Sequence, residues 1–110
     1  MHLDVSGLRF EHPVDVDIHF DAIEDSIAAS GERHWYFLID LTGTAILPAA
    51  CKAYTGRVHA LNLHHALGSA RYGATPDIAA ALATISQQSG FNMPVFPDEA
   101  TALRYLQDIR

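Results

Sequence analysis

The run WYFLIDL, residues 35–41, is apolar at positions that point to both faces of a strand. A strand with one wet face alternates apolar and polar residues, so this one is satisfied only where helices cover the sheet above and below. The chain just beyond it supplies one such cover. Pro48 suits the first turn of a helix, because its missing N–H would have had no intrahelical partner. Leu47, Cys51, Tyr54, Val58 and Leu61 then recur at helical spacing, with Lys52 and His59 on the outer face.

The same alternation continues downstream. LGSARYGA reads as a short Gly-flanked strand, after which Thr75 caps a helix, Pro76 fills its first turn, Ile78, Leu82 and Ile85 face inward, and Gly90 stops it. Phe91 to Phe96 is the last strand candidate, and Pro94 assigns it to a sheet edge. A final helix from about Asp98 is expected to bury Ala102, Leu103, Leu106 and Ile109. Upstream, Val14, Val16 and Ile18 alternate with Asp15, Asp17 and His19, which predicts a half-buried edge strand. Leu3 to Phe10 would pair with it through a connection at His12 and Pro13. Asp21 with Glu24 then predicts a helix start, Phe20, Ile23 and Ile27 its inner face, and Gly31 its end.

This order predicts an α/β fold: a mostly parallel four- to five-stranded sheet with helices packed on it, right-handed crossovers, and an N-terminal edge strand or hairpin. At 110 residues the chain is read as one domain spanning 1–110. A chain of that size buries roughly 65% of the surface its unfolded form exposes. No linker, repeat or low-complexity run interrupts it.

Charge narrows the partners. The net charge of −6 repels phosphate backbones and anionic lipid, so neither nucleic acid nor a membrane surface is an expected partner. Residues 1–40 hold nine acids and two bases, while residues 41–110 hold four acids and five bases. The acidic first half is a solvated face or a contact for a basic protein. Cys51 is the only cysteine, which rules out an intrachain disulfide. No basic stretch leads a long apolar one, and no apolar run approaches the ~20 residues of a membrane span. The expected location is the cytoplasm.

Three segments together resemble the STAS domains, the anti-sigma-factor antagonist group, and in particular their SpoIIAA-like relatives. They are WYFLIDLTG leading into a helix, the small-residue strand and helix in the middle, and the ending VFPDEATALRYL. The resemblance covers most of residues 14–109 and implies that fold, with a regulatory or protein-binding role. Bacterial antagonists of this group carry a phosphorylatable serine at the start of the helix after the hydrophobic strand. If LIDLTG matches that strand, the turn falls on Leu47, Pro48, Ala49 and Ala50, and the acceptor hydroxyl is gone. If Asp40 to Gly43 is the turn itself, Thr42 replaces one serine, but Pro48 then lies about two turns inside a helix at a cost of roughly 3 kcal/mol or more. The first register is favoured.

Asp40, Thr42, Gly43 and Thr44 follow the central strand at its carboxyl end, where open α/β sheets bind ligands. Thr75 and Asp98 begin the helices after two other strands, so the six residues form a candidate ligand or regulatory crevice. Helix capping and turn formation are the competing use of these residue types, and are favoured. A receiver-domain reading of Asp40 fails for want of an acidic pair and a late lysine. His59, His64 and His65 point to different sides of a helix, so no metal site is expected. Cys51 phases inward with Tyr54 and Val58 as a small core residue, and Arg71 and Tyr72 read as ordinary surface residues on a short strand.

No nucleophile, base and orienting group can be assembled from spacing, and no cofactor is implied. The chain is thus expected to be a non-enzymatic regulatory or protein-interaction module, self-association included. The alternative is a small-ligand binder, for an apolar or anionic ligand, using the carboxyl-end crevice.

Overall fold

The computed structural model describes residues 1–90 and 92–110, apart from the side chain of Ser89. In chain order the elements are β1 (His2–Asp4), β2 (Arg9–Phe10), α1 (Pro13–Ser30), β3 (Trp35–Asp40), β4 (Ala45–Ile46), α2 (Pro48–His65), β5 (Ala66–Tyr72), α3 (Pro76–Ser89), β6 (Val95–Phe96) and α4 (Glu99–Ile109). Strands β1, β3, β5 and β6 form one sheet in that order, every neighbouring pair parallel. The α/β class and the mostly parallel four-stranded sheet agree with the sequence pattern.

The N-terminal hairpin does not form. Residues 13–30 are one helix, and the expected strand at Val14–Ile18 is its first turn and a half. Helical spacing prevails because Val16, Phe20, Ile23 and Ile27 are buried on a single stripe, whereas Val14 and Ile18 are 57% and 65% exposed. The helix starts at Pro13 and not near Asp21. Asp15 accepts hydrogen bonds from the backbone N–H groups of Glu11 and His12, both at 3.0 Å, which satisfies donors that the first turn leaves free. These contacts hold the Asp15 carboxyl below its usual range. Asp21 instead meets Arg57 of α2 at 2.8 Å. The helix ends at Gly31, which takes the left-handed conformation at φ 78°.

The first ten residues run parallel to residues 35–47 along their whole length. His2, Leu3 and Asp4 pair with Leu38, Ile39 and Asp40, and Arg9 and Phe10 pair with Ala45 and Ile46. Between the two ladders, Val5 N–H donates to Asp40 O and Gly7 N–H to Thr42 O, both at 2.9 Å. Two strand–turn–strand segments therefore lie side by side.

Side chains of β3 divide between two layers. Phe37 and Ile39 enter the larger core, with Val16, Phe20, Ile23 and Ile27 of α1, Tyr54, Val58 and Leu61 of α2, and Ile78, Leu82 and Ile85 of α3. Leu38 faces the opposite way and joins Ala70, Tyr72, Ala102 and Leu106, a smaller core under α4 alone. Helix α4 comes close because Gly68 has no side chain: a Cβ there would lie 2.7 Å from Ile109 Cδ1.

Several inward assignments do not hold. Leu103 is 42% and Ile109 41% exposed, because α4 lies over only part of its sheet face. Cys51 is exposed rather than packed in the core. Arg71 and Tyr72 are both buried, since β5 is an interior strand. The last strand is limited to Val95–Phe96, preceded by Pro94, whose carbonyl accepts from Arg71 N–H at 3.1 Å. Phe91, part of the expected strand, lies outside the described residues. Among the described residues no helix is long and apolar enough to cross a membrane.

His19 of α1 packs its ring edge-on against Phe10 and Phe20, at 5.4 and 5.3 Å between centroids. Burial lowers its pKa from the ordinary 6.5, since desolvation penalises the imidazolium. The neutral ring stabilises the fold fully above pH 6.5, and that contribution is lost as pH falls through the lower folded value. Chemical denaturation at pH 7 and pH 5 is expected to show a larger loss for the unaltered protein than for His19→Phe.

Candidate functional site

Asp40, Thr42, Gly43 and Thr44 come together at the carboxyl end of β3, as the sequence pattern places them. Asp40 ends β3, and its carboxylate accepts from Thr42 N–H at 2.9 Å, closing an Asx turn. Gly43 occupies the left-handed region at φ 70°, as the turn requires. Thr44 turns inward, only 2% exposed, and its hydroxyl donates to Val5 O at 2.7 Å. This bond ties the turn after β3 to the end of β1.

Thr75 and Asp98 cap helices. Thr75 Oγ1 accepts from Ile78 N–H at 3.4 Å at the start of α3. Asp98 accepts from the N–H and the hydroxyl of Thr101, each at 2.8 Å, at the start of α4. Those bonds hold its carboxyl below the usual range. Gly73 joins the group unannounced by the sequence pattern: it has φ 75°, and any side chain there would run into Thr42 Oγ1. Thr42 thus lies against the turn that leaves β5.

On the α4 side of the sheet, the same strand ends gather Tyr72, His2 and Asp40. His2 Nε2 lies 3.0 Å from the Tyr72 hydroxyl. Burial first, and then the negative charges of Asp40 and Glu99, push the phenol up to about 12. It is therefore neutral at pH 7 and serves as a hydrogen-bonding post, not a base. Among the described residues no three His, Cys, Asp or Glu side chains approach closely enough to hold a metal ion.

The larger opening lies beside α4. A four-stranded sheet is about 19 Å across and a helix with its side chains is about 10 Å wide, so a single helix covers only about half of one face. The face carrying Phe37 and Ile39 is covered by α1, α2 and α3. The other has α4 alone, which leaves a groove of about 500 Å³ over β1 and β3. Trp35, Tyr36, Leu38, Leu103 and Leu106 line it, with His2 and Arg110 among its borders.

Helical phasing alone did not expose this groove, because it placed Leu103 in the core. The available signal was an imbalance in the cover: one apolar-faced helix of 11 residues follows the last strand, against three longer ones that precede it. Compared with the models of known protein families and with the curated proteins, the chain matches none.

Proposed function

We propose that the domain is a non-enzymatic, STAS-like regulatory module that docks an amphipathic helix of a partner protein in the groove beside α4. One observation carries this reading: α4 alone covers about half of its sheet face, and the groove over the other half is walled by Trp35, Tyr36, Leu38 and Leu103. A partner helix with apolar residues at i, i+3, i+4 and i+7 fits such a groove and buries its wall from water. The resemblance to the anti-sigma-factor antagonists supports a role in regulation. The resemblance puts their phosphorylated turn at Leu47 to Ala50, at the start of α2, where no side chain carries a hydroxyl. Regulation here then acts through the docked partner and not through phosphate at that turn.

The crevice of Asp40, Thr42, Gly43, Thr44, Thr75 and Asp98 supports a ligand less well. The side chains of Asp40, Thr44, Thr75 and Asp98 already serve the turns and caps around them.

Affinity capture from the protein's own cells with matched variants tests the docking. Leu103→Glu places a charge in the groove wall, while Leu63→Glu does the same at a leucine of α2 that is 58% exposed. The partner is expected to fall at least about tenfold with Leu103→Glu, as for loss of an interface anchor, and to remain with Leu63→Glu. Equal retention by both folded variants would remove the groove from the account.

A further inference from the structure

Strand β1 is the end strand of the four-stranded sheet, and among the described residues its outer side pairs with no other strand. A sheet edge templates a further strand unless Pro, Lys, a bulge or a covering element blunts it. The opposite edge is blunted, since β6 has two residues and follows Pro94. β1 carries no Pro or Lys, and its register against β3 runs without a bulge. Leu38 N–H donates to Met1 O and Val5 N–H to Asp40 O, both at 2.9 Å, so residues 1 and 5 face β3. Successive residues of a strand turn their N–H and C=O groups to opposite sides. Leu3 therefore faces β3 as well, and the backbone groups of His2 and Asp4 face outward. Neither face closes over this edge. Met1 and His2 border the groove beside α4, and on the other face Met1 to Asp4 line a hollow of about 280 Å³ with Ala22 and Ser26 of α1.

The sequence of β1 is complementary to itself. A second copy laid antiparallel on the edge, about a two-fold axis at Leu3, sets His2 opposite the partner's Asp4 and Asp4 opposite the partner's His2. Each such pair exchanges two N–H···O=C bonds, which uses all the outward backbone groups of the two strands. The same register places an imidazole against a carboxylate twice, on the α4 side of the sheet. The side chains have the capacity for it. His2 Nε2 lies 3.0 Å from the Tyr72 hydroxyl, which leaves Nδ1 for the carboxylate, and Asp4 accepts from Ser6 through Oδ1, which leaves Oδ2. Leu3, half-buried against the larger core, meets its own copy on the other side. An axis at His2 or at Asp4 would instead oppose two imidazoles or two carboxylates, and like charges directly opposite are destabilising.

We propose that a second copy of the chain pairs with β1, antiparallel about a two-fold axis at Leu3, so that two sheets join into one. That axis is normal to the sheet, so both α4 helices lie on one side and the grooves beside them meet at the shared edge. The pairing uses β1 and does not depend on a partner helix in the groove.

Analytical ultracentrifugation tests the pairing, and the unaltered protein is expected to sediment as a monomer–dimer equilibrium. Asp4→Lys removes the carboxylate from both cross-strand pairs and should weaken the dimer roughly tenfold. His2→Asp combined with Asp4→Lys again sets a carboxylate opposite a cation and should recover it. Leu103→Glu should leave the dimer intact, which separates this edge from the groove. Leu3 and its copy form a pair that exchanges no hydrogen bonds, with Cα atoms about 4.5 Å apart, within reach of a disulfide. Leu3→Cys in a Cys51→Ser background is therefore expected to oxidise in air to a covalent dimer, and Leu63→Cys in the same background to remain without a cross-link. Should Asp4→Lys fail to fold, the Leu3→Cys cross-link decides. A monomer at every concentration, an Asp4→Lys dimer as tight as the unaltered one, or no cross-link at position 3 would overturn the proposal.

Discussion

Phe37→Ala is expected to destabilise the domain by about 4 kcal/mol, near the upper end of what a single core truncation does. Phe37 is 1% exposed and lies on β3, which has a strand on each side. Its ring projects into the layer shared by α1, α2 and α3. Collapse around the missing ring is opposed from every direction, because the sheet is held by its ladders and the helices by each other. A domain of this size has about 5–15 kcal/mol of stability in all, so the variant sits close to its limit. Leu38→Ala, on the same strand but facing the half-covered side, is expected to cost about 2 kcal/mol, the low end for a leucine. Urea unfolding of both reads the difference between a closed layer and an open one. Equal losses would mean that the face under α4 is as tightly packed as the other.

Gly73→Ala should cost about 3 kcal/mol despite adding one methyl group. The backbone at φ 75° lies in the left-handed region, where a Cβ costs roughly 1–2 kcal/mol. The new methyl also runs into Thr42 Oγ1, and overpacking of that kind adds about 1–3 kcal/mol. The two contributions separate in a double-mutant cycle. Thr42→Ala removes the oxygen that obstructs the methyl but keeps Cα and Cβ at 3.2 Å, so the Gly73→Ala, Thr42→Ala pair should recover part of the packing share and keep the backbone share. Additive losses would show that the two turns do not touch in solution.

How far the fold could be read in advance depended on whether local rules competed. From residue 35 onward they agreed. WYFLIDL had no helical alternative, Pro48 and Pro76 marked helix starts, and Thr75 and Asp98 cap as their residue types suggest. In residues 13–20 they conflicted. Val14, Val16 and Ile18 alternate at period two, yet Val16, Phe20, Ile23 and Ile27 repeat at period 3.6, and the longer pattern has the larger burial. Pro13 at the first turn and Asp15 two residues later were the helix-start signals that the alternation masked. The pairing of β1 with β3 and β2 with β4 could not have been read from three-residue and two-residue strands.

The candidate crevice was legible as a place but not as a use. Asp40, Thr42, Gly43 and Thr44 lie at the end of β3, Thr75 and Asp98 begin α3 and α4, and their hydrogen bonds show turns and caps. Cys51, Leu103 and Ile109 were misplaced by the same reasoning: helical phasing identifies a face and cannot say how much neighbouring structure covers it. Arg71 was misplaced in the other direction. On a short strand between glycines it reads as surface, and only its position between β3 and β6 buries it.

The groove is tested most directly by placing a photo-cross-linking amino acid at position 103 in the protein's own cells, with position 63 as the control, and sequencing the captured peptides. The account predicts that position 103, and not position 63, joins one segment of another protein whose apolar residues repeat at helical spacing. The same peptides from both positions, or a peptide of the chain itself at position 103, would contradict it.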